Sequence, residues 1–182
     1  MNAETSKKQM NAKELEKYFK DEFKTKIKST EIRVLKAGIK KNETHSIWMK
    51  IDKSIFKKVI KHLVDYQFPH LGVVSGNDLG KTIELIYHFT VNSGKRFAEI
   101  NLHISLEIPK SKPEIETICD WIPGALITER EKQEMLGVKV IGIPDSRKCF
   151  LPDDWPDDVF PWRRDDKGPE KYYKNLHEVK KK

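Results

Sequence analysis

Four side chains have the types and spacing to hold a metal: Glu84, His88, Glu99 and His103. They lie on two alternating apolar runs, Ile83-Leu85-Tyr87-Phe89-Val91 and Ile100-Leu102-Ile104-Leu106-Ile108, separated by Asn92-Ser93-Gly94-Lys95. Period-two alternation marks strands, and the tetrapeptide is a tight-turn sequence. A hairpin centred there pairs residues whose numbers sum to about 187. Tyr87 then faces Ile100, Leu85 faces Leu102, His88 faces Glu99 and Glu84 faces His103. Two imidazoles and two carboxylates on one face could bind zinc or iron. The alternative is a solvated face with two cross-strand His–carboxylate pairs. No second shell and no short ligand spacing such as HxxxH supports the metal.

A second cluster is Thr128-Glu129-Arg130-Glu131. Thr128 and Glu131 have capping-box spacing, and Gly137 is a natural helix stop. Arg130 and Glu134 stand at i, i+4, where an ion pair is expected. Three carboxylates on two turns could serve acid–base chemistry. No nucleophile, phosphate cradle or metal motif lies nearby, so a structural role is favoured. The apolar residues of this helix are Met135 and Leu136, so polar contacts or a partner must hold it. Cys119 and Cys149 are the two cysteines. Two thiols cannot supply an iron–sulfur cluster or an all-cysteine zinc site. Both are expected reduced, with Cys119 in the core.

The elements that position these residues follow from hydrophobic period. Asn11 can cap a helix with Leu15, Phe19, Phe23 and Ile27 on one face and Tyr18 beside them. Glu31 to Ile39 and Ser46 to Ile51 are strand-like around a polar turn at Lys40–Glu43. Asp52 caps a second helix carrying Ile55, Phe56, Val59, Ile60, Leu63 and Val64. Leu71 to Ser75 is another strand, and Val138 to Ile143 a short one. The expected fold is α+β: a mostly antiparallel sheet with helices on one face, plus an extended C-terminal arm. The expected organisation is a flexible N-terminus (1–10), a globular domain (11–143) and an arm (144–182).

Length and charge narrow the function classes. The chain has 182 residues, 35% charged and 37% hydrophobic, enough for one core. Its longest uncharged stretch, Tyr66–Asn77, is too short to span a bilayer. The opening MNAETSKKQM has no apolar stretch, so no secretory leader is expected. The net charge of +7 is uneven. Lys7–Lys41 holds twelve basic and five acidic residues, and Arg163–Lys182 eight and four. Between them, Asp145–Trp162 holds two basic and five acidic residues. This acidic stretch is rich in Pro and Trp and is not expected to fold on itself. A Pro-stiffened segment loses little entropy on ordering, and Trp and Arg are common anchors of interfaces.

The run TEREKQEMLGVKVIGIPDSR, followed by LPDDWP and FPWRRD, resembles one family of respiratory complex I components, the NADH dehydrogenase 30 kDa-type subunit. The matching residues are Glu129, Arg130, Glu131, Glu134, Gly137, Gly142, Pro144, Asp145, Arg147, Leu151, Pro152, Asp153, Asp154, Trp155, Arg163, Arg164 and Asp165. LIYHF at Leu85–Phe89 resembles the family's hairpin, and Pro123 with Ala125 its lead-in to the helix. Ile127 and Ile143 replace a usual aromatic residue and a usual His. In this the chain looks more like the relatives found in membrane-bound nickel–iron hydrogenases and sulfane sulfur reductases.

The resemblance implies a non-catalytic scaffold subunit of a ferredoxin-linked, ion-pumping membrane oxidoreductase. It implies no cofactor in this chain, with iron–sulfur clusters and a nickel–iron centre in neighbouring subunits. The implied partners are a large catalytic subunit and a small iron–sulfur subunit, at the cytoplasmic face of the membrane. The family-motif residues other than Asp153 and Asp165, with Trp162, are the expected partner interface. An NADH:quinone-type complex is the alternative within the family. A basic nucleic-acid-binding module using Lys7–Lys41 with Tyr18, Phe19 and Phe23 is the alternative of another class.

Overall fold

The computed structural model describes residues 9–94 and 98–172. The expected N-terminal extension up to residue 8, Lys95 of the expected turn and the arm beyond 172 lie outside the described residues.

Asn11 opens helix α1 (Ala12–Phe23): its Oδ1 accepts the N–H groups of Lys13 and Glu14, both at 3.0 Å, while the Glu14 carboxylate accepts its own N–H. The helix stops at Phe23 rather than continuing to Ile27. Lys24 takes φ +40°, and Ile27 becomes the first residue of strand β1 (Ile27–Ala37). A turn at 38–41 leads to β2 (Asn42–Ile51), and Asp52 caps a single 3-10 turn before α2 (Phe56–Tyr66). The chain continues through β3 (His70–Asp78), β4 (Thr82–Val91) and β5 (Ile100–Pro109). The short strand β6 (Glu114–Glu116), helix α3 (Ala125–Leu136) and strand β7 (Lys139–Ile141) follow.

The main sheet has the order β1-β2-β5-β4-β3. Every pairing in it is antiparallel except β2–β5, which is parallel and joins two hairpins. β6 and β7 form a separate parallel pair.

Strands β4 and β5 differ from the sequence expectation in register. Val91 pairs with Ile100, Tyr87 with Ile104 and Leu85 with Leu106. The strands end at Val91 and resume at Ile100, so the loop between them is longer than a four-residue turn. The shift is even, so the same apolar rows still face inward. Leu85, Tyr87, Phe89, Leu102, Ile104 and Leu106 are buried beneath Leu15 and Phe19 of α1 and Val59, Ile60 and Leu63 of α2. Phe56 meets Tyr87 with ring centroids 4.8 Å apart. Each such side chain contributes about 1.5–3 kcal/mol on burial. All three helices of the described residues lie on this face.

Helix α3 sits against β3. A Cβ on Gly76 would come within 2.4 Å of Leu136 Cδ1, so a glycine there sets how closely the helix can approach the strand.

Candidate functional site

The site is built on α3 and the segment after β7. Sequence spacing puts the helix start at Thr128, but the helix begins one turn earlier, at Ala125. Thr128 therefore does not form a capping box; its hydroxyl donates to the Ala125 carbonyl at 3.1 Å. Glu129 is 1% exposed and points inward. Its carboxylate accepts from the Thr117 hydroxyl (2.5 Å), the Ile118 N–H (3.0 Å) and the Cys119 thiol (3.4 Å). Burial raises its pKa despite these donors. Burial likewise pushes the Cys119 thiol up to about 11. Glu129 thus ties α3 to the chain entering it and is sealed from solvent.

Arg130 and Glu134 do not pair with one another, contrary to expectation; each reaches the segment that follows β7. Arg130 Nε and Nη2 donate to the Arg147 carbonyl at 2.8 and 2.5 Å, and Nη2 also reaches the Lys148 carbonyl at 3.2 Å. Its Nη1 lies 3.4 Å from Asp145. Glu134 accepts three successive N–H groups, from Cys149 (2.7 Å), Phe150 (2.9 Å) and Leu151 (2.8 Å). Burial alone would raise its pKa, but these backbone donors outweigh it and hold the carboxyl below the usual range. One cation therefore collects carbonyls and one anion collects amides, along one run of backbone.

The segment past Leu151 returns to the same helix. Trp155 is half-buried and donates Nε1–H to the Val159 carbonyl at 2.8 Å, closing its own loop. Lys148 bonds the Trp155 carbonyl and Asp157. Gly137 ends α3 at φ +69°, and a Cβ there would strike the Phe160 ring at 2.5 Å, so glycine is required by both backbone and neighbour. The Trp162 N–H donates to the Met135 carbonyl at 2.9 Å, and Arg163 Nη1 to the Leu136 carbonyl at 3.2 Å. These bonds occupy carbonyls that the end of a helix leaves open.

Lys110 lies between Asp78 (2.6 Å) and Asp165 (2.7 Å), and Asp78 also accepts the Arg164 N–H. Burial acts to raise the Asp165 pKa, but Lys110 and Arg163 lower it to about 2. The expectation that this stretch does not fold on itself is thus corrected: up to Pro169 it lies along its own domain, held mainly by polar bonds that span long sequence distances. Lys110, Asp78, Thr117 and Phe160 were not legible as site residues. Asp78 reads as part of a turn, and Lys110 as one of many lysines.

The outward side of this assembly is different in kind. Ile127 is 50% exposed, Phe150 47% and Trp162 41%. Pro144, Pro152, Asp153, Asp154 and Arg164 are exposed as well. Arg147 extends into solvent, its guanidinium held by Asp145 at 2.7 and 2.9 Å. That contact, with the Arg147 N–H, holds the Asp145 carboxyl far below the ordinary range. Lys132 is buried beneath Trp162, with Nζ 4.5 Å from the ring centroid, and is paired with Glu131. Gly142 takes φ +78° where the chain leaves β7. The expected interface residues therefore divide. Glu129, Arg130, Glu131, Glu134, Gly137 and Arg163 point inward or brace the segment. Pro144, Arg147, Pro152, Asp154, Trp162 and Arg164 are available outside.

The hairpin residues are not brought together as expected. His88 pairs with His103 and Glu84 with Glu107, while Glu99 lies in the loop, within 3.2 Å of the Gly94 N–H. Among the described residues, no three His, Cys, Asp or Glu side chains are grouped to hold a metal. Burial lowers the pKa of both histidines, that of His103 to about 4 with His88 and Arg33 adding to the effect. The aromatic residues of the nucleic-acid alternative are engaged. Phe19 is fully buried, and Tyr18 stacks on His62 with centroids 3.9 Å apart. Phe23 packs edge-on against the same imidazole. These rings pack on one another and on His62.

Comparison with known proteins fits this arrangement. The model of the family "Respiratory-chain NADH dehydrogenase, 30 Kd subunit" matches residues 49–172, more than half of the chain. The membrane-bound hydrogenase subunit beta of Pyrococcus furiosus is 31% identical over 131 residues, which cover 71% of this chain and 75% of that protein. An NADH-quinone oxidoreductase subunit of Acidothermus cellulolyticus is 34% identical over 87 residues, covering 47% of this chain and 42% of that one. Among solved structures, a chain of the membrane-bound sulfane sulfur reductase, an archaeal respiratory membrane complex, has the same fold. Its TM-score is 0.64 at 17% identity, over 89% of this chain and 84% of that chain. No helix among the described residues is long and apolar enough to cross a membrane.

Proposed function

The chain belongs to the family of the 30 kDa subunit of respiratory-chain NADH dehydrogenase, and we propose that it is a scaffold subunit in the peripheral arm of a membrane hydrogenase or sulfane sulfur reductase related to complex I. It has no catalytic role of its own and docks against a large catalytic subunit and a small iron–sulfur subunit. Those neighbours carry the redox groups, iron–sulfur clusters and in a hydrogenase a nickel–iron centre. The complex takes electrons from ferredoxin and pumps ions, with this subunit at the cytoplasmic face.

One observation carries the reading. Arg130 and Glu134 fix residues 147–151 mainly through their backbone, so Phe150 is left as exposed apolar surface on a braced segment. Preorganised segments lose little entropy on binding. The similarity to the hydrogenase beta subunit supports the choice of complex, as do Ile127 and Ile143.

The test is recovery of the tagged chain at its native level from gently solubilised membranes, with mass spectrometry of what accompanies it. The large and iron–sulfur subunits should co-purify with the wild type and be lost from Phe150→Asp, whose folding the exposed position spares. Recovery of the wild type as a free monomer overturns the proposal.

A further inference from the structure

Asp145 holds the Arg147 guanidinium in place without burying it. Arg147 Nε and Nη2 donate to the two Asp145 carboxylate oxygens at 2.9 and 2.7 Å, and the Arg147 N–H donates to the same carboxylate at 3.0 Å. Arg130 holds the Arg147 carbonyl. Both backbone polar groups and one edge of the guanidinium are therefore fixed, yet the Arg147 side chain is 85% exposed. A guanidinium carries five N–H groups, and Asp145 takes two of them. The Nη1–Nη2 edge is left open, and such an edge can hold a second carboxylate by two parallel bonds. Given the docking role proposed above, we propose that Arg147 anchors the docked partner protein by receiving one of its Asp or Glu carboxylates on this open edge, with Asp145 as the positioning residue.

The surrounding charges favour an anion there. Arg130, Asp145 and Arg147 form a row of alternating sign, with 3.4 Å between Arg130 Nη1 and Asp145. The row ends in solvent on a cation. The Glu134 carboxylate is occupied by the amides of Cys149, Phe150 and Leu151, and Lys148 is matched by Asp157. A partner carboxylate extends the alternation by one member, whereas a partner cation would meet Arg147 directly. Ordering a long side chain on binding costs rotamer entropy, and the bonds to Asp145 have already removed part of it. Arginine held in this way is a common anchor of protein interfaces.

Arg33 on β1 is the internal contrast. Glu31 holds its guanidinium across the same two-residue spacing, with two bonds of 2.8 Å. The Arg33 guanidinium, however, lies over the Trp48 ring, 5.1 Å from its centroid, and the side chain is 54% exposed. Among the described residues Glu31 pairs with Arg33 alone, so no second guanidinium stands behind it. Arg33 is engaged by its own sheet, whereas Arg147 is left to solvent at the end of a charged row.

The experiment uses the tagged full chain at its native level in gently solubilised membranes and reads the partner subunits recovered with it as salt is raised. Arg147→Met removes the charge and keeps an unbranched stem; it should lower recovery by about tenfold. Arg147→Lys should lower it nearly as far, because an ammonium cannot bond Asp145 and present a planar edge at once. Arg33→Met should leave recovery unchanged. Hydrogen exchange at Cys149, Phe150 and Leu151 should stay slow in Arg147→Met, since Glu134 holds those amides. A photo-cross-linking residue at the exposed Ser146 then identifies the facing peptide of the partner. Reversing one Asp or Glu of that peptide to Arg should restore recovery with Arg147→Glu. Wild-type recovery with Arg147→Met or Arg147→Lys overturns the anchor and leaves the docking role standing. So does a facing peptide in which no such reversal rescues Arg147→Glu, or fast exchange of the three amides in Arg147→Met, which would mark a structural role. Recovery of the wild type as a free monomer overturns both.

Discussion

The two halves of this molecule hold together in different ways. Around α1, α2 and the sheet, cohesion is apolar: Leu15, Phe19, Leu63, Tyr87 and Phe89 are sealed in one cluster. Around α3 and residues 144–169, polar groups share the work: Glu129, Arg130, Lys132, Glu134 and Arg163 are buried beside Ala125, Leu136 and Val159. Apolar burial is non-directional and tolerates shifts. A carboxylate that collects three amides fixes one backbone path and no other. The first half suits a stable platform, and the second suits a segment that must present one defined surface.

The contrast can be broken from either side. The largest effect is expected from Phe89→Ala in the sheet, which should cost about 3–5 kcal/mol and lower the denaturant midpoint of the whole domain. Glu134→Ala removes the acceptor of three amides and should cost about 2–3 kcal/mol. Its effect should be local, seen as faster proteolysis between residues 144 and 169 while the circular dichroism of the sheet stays unchanged.

Acid should separate the halves without mutation. The Glu134 and Asp165 pKa values lie below the ordinary carboxylate values in the folded state. Their contribution is complete above the unfolded pKa values and is lost as pH falls through the folded ones. The segment should therefore loosen between about pH 4 and pH 2, a range that ends near the Asp165 value of about 2. Glu129 runs the other way. Its raised pKa means that its charge opposes folding at neutral pH and that protonation relieves the cost. Proteolysis as a function of pH, with sheet content followed in parallel, distinguishes the two. The smallest effect belongs to Glu129→Gln, which keeps an acceptor for Ile118 and removes the buried charge. It should change stability by less than about 1 kcal/mol and remove the loss of stability that ionisation of Glu129 causes as pH rises above the ordinary carboxylate range, read in thermal unfolding.

The same division governs what could be read from the sequence. The apolar half was legible because burial imposes a period: α2, β4 and β5 follow directly from their spacing. The register slipped only because the loop after Val91 is longer than its turn-like start suggests, and the even shift kept every side chain on its face. The sequence predicts α1 too long because Ile27 continues the helical spacing, although Lys24 has already broken the backbone. The polar half was legible mainly as a family motif. Capping-box and i, i+4 rules consider neighbours on one helix, whereas Thr128, Arg130 and Glu134 answer to Ala125 and to residues 15 to 18 positions away. Apart from the Asp145 carboxylate, those partners are backbone atoms, so no residue type marks them.

The central claim is that the segment after β7 is already seated on α3 before any partner arrives. Native-state hydrogen exchange of the isolated chain tests it most directly, at the amides of Cys149, Phe150 and Leu151. Protection of these three amides in the wild type, and its loss in Glu134→Ala with β4 and β5 still protected, is the predicted result. Exchange at the rate of unstructured backbone in the wild type would contradict it.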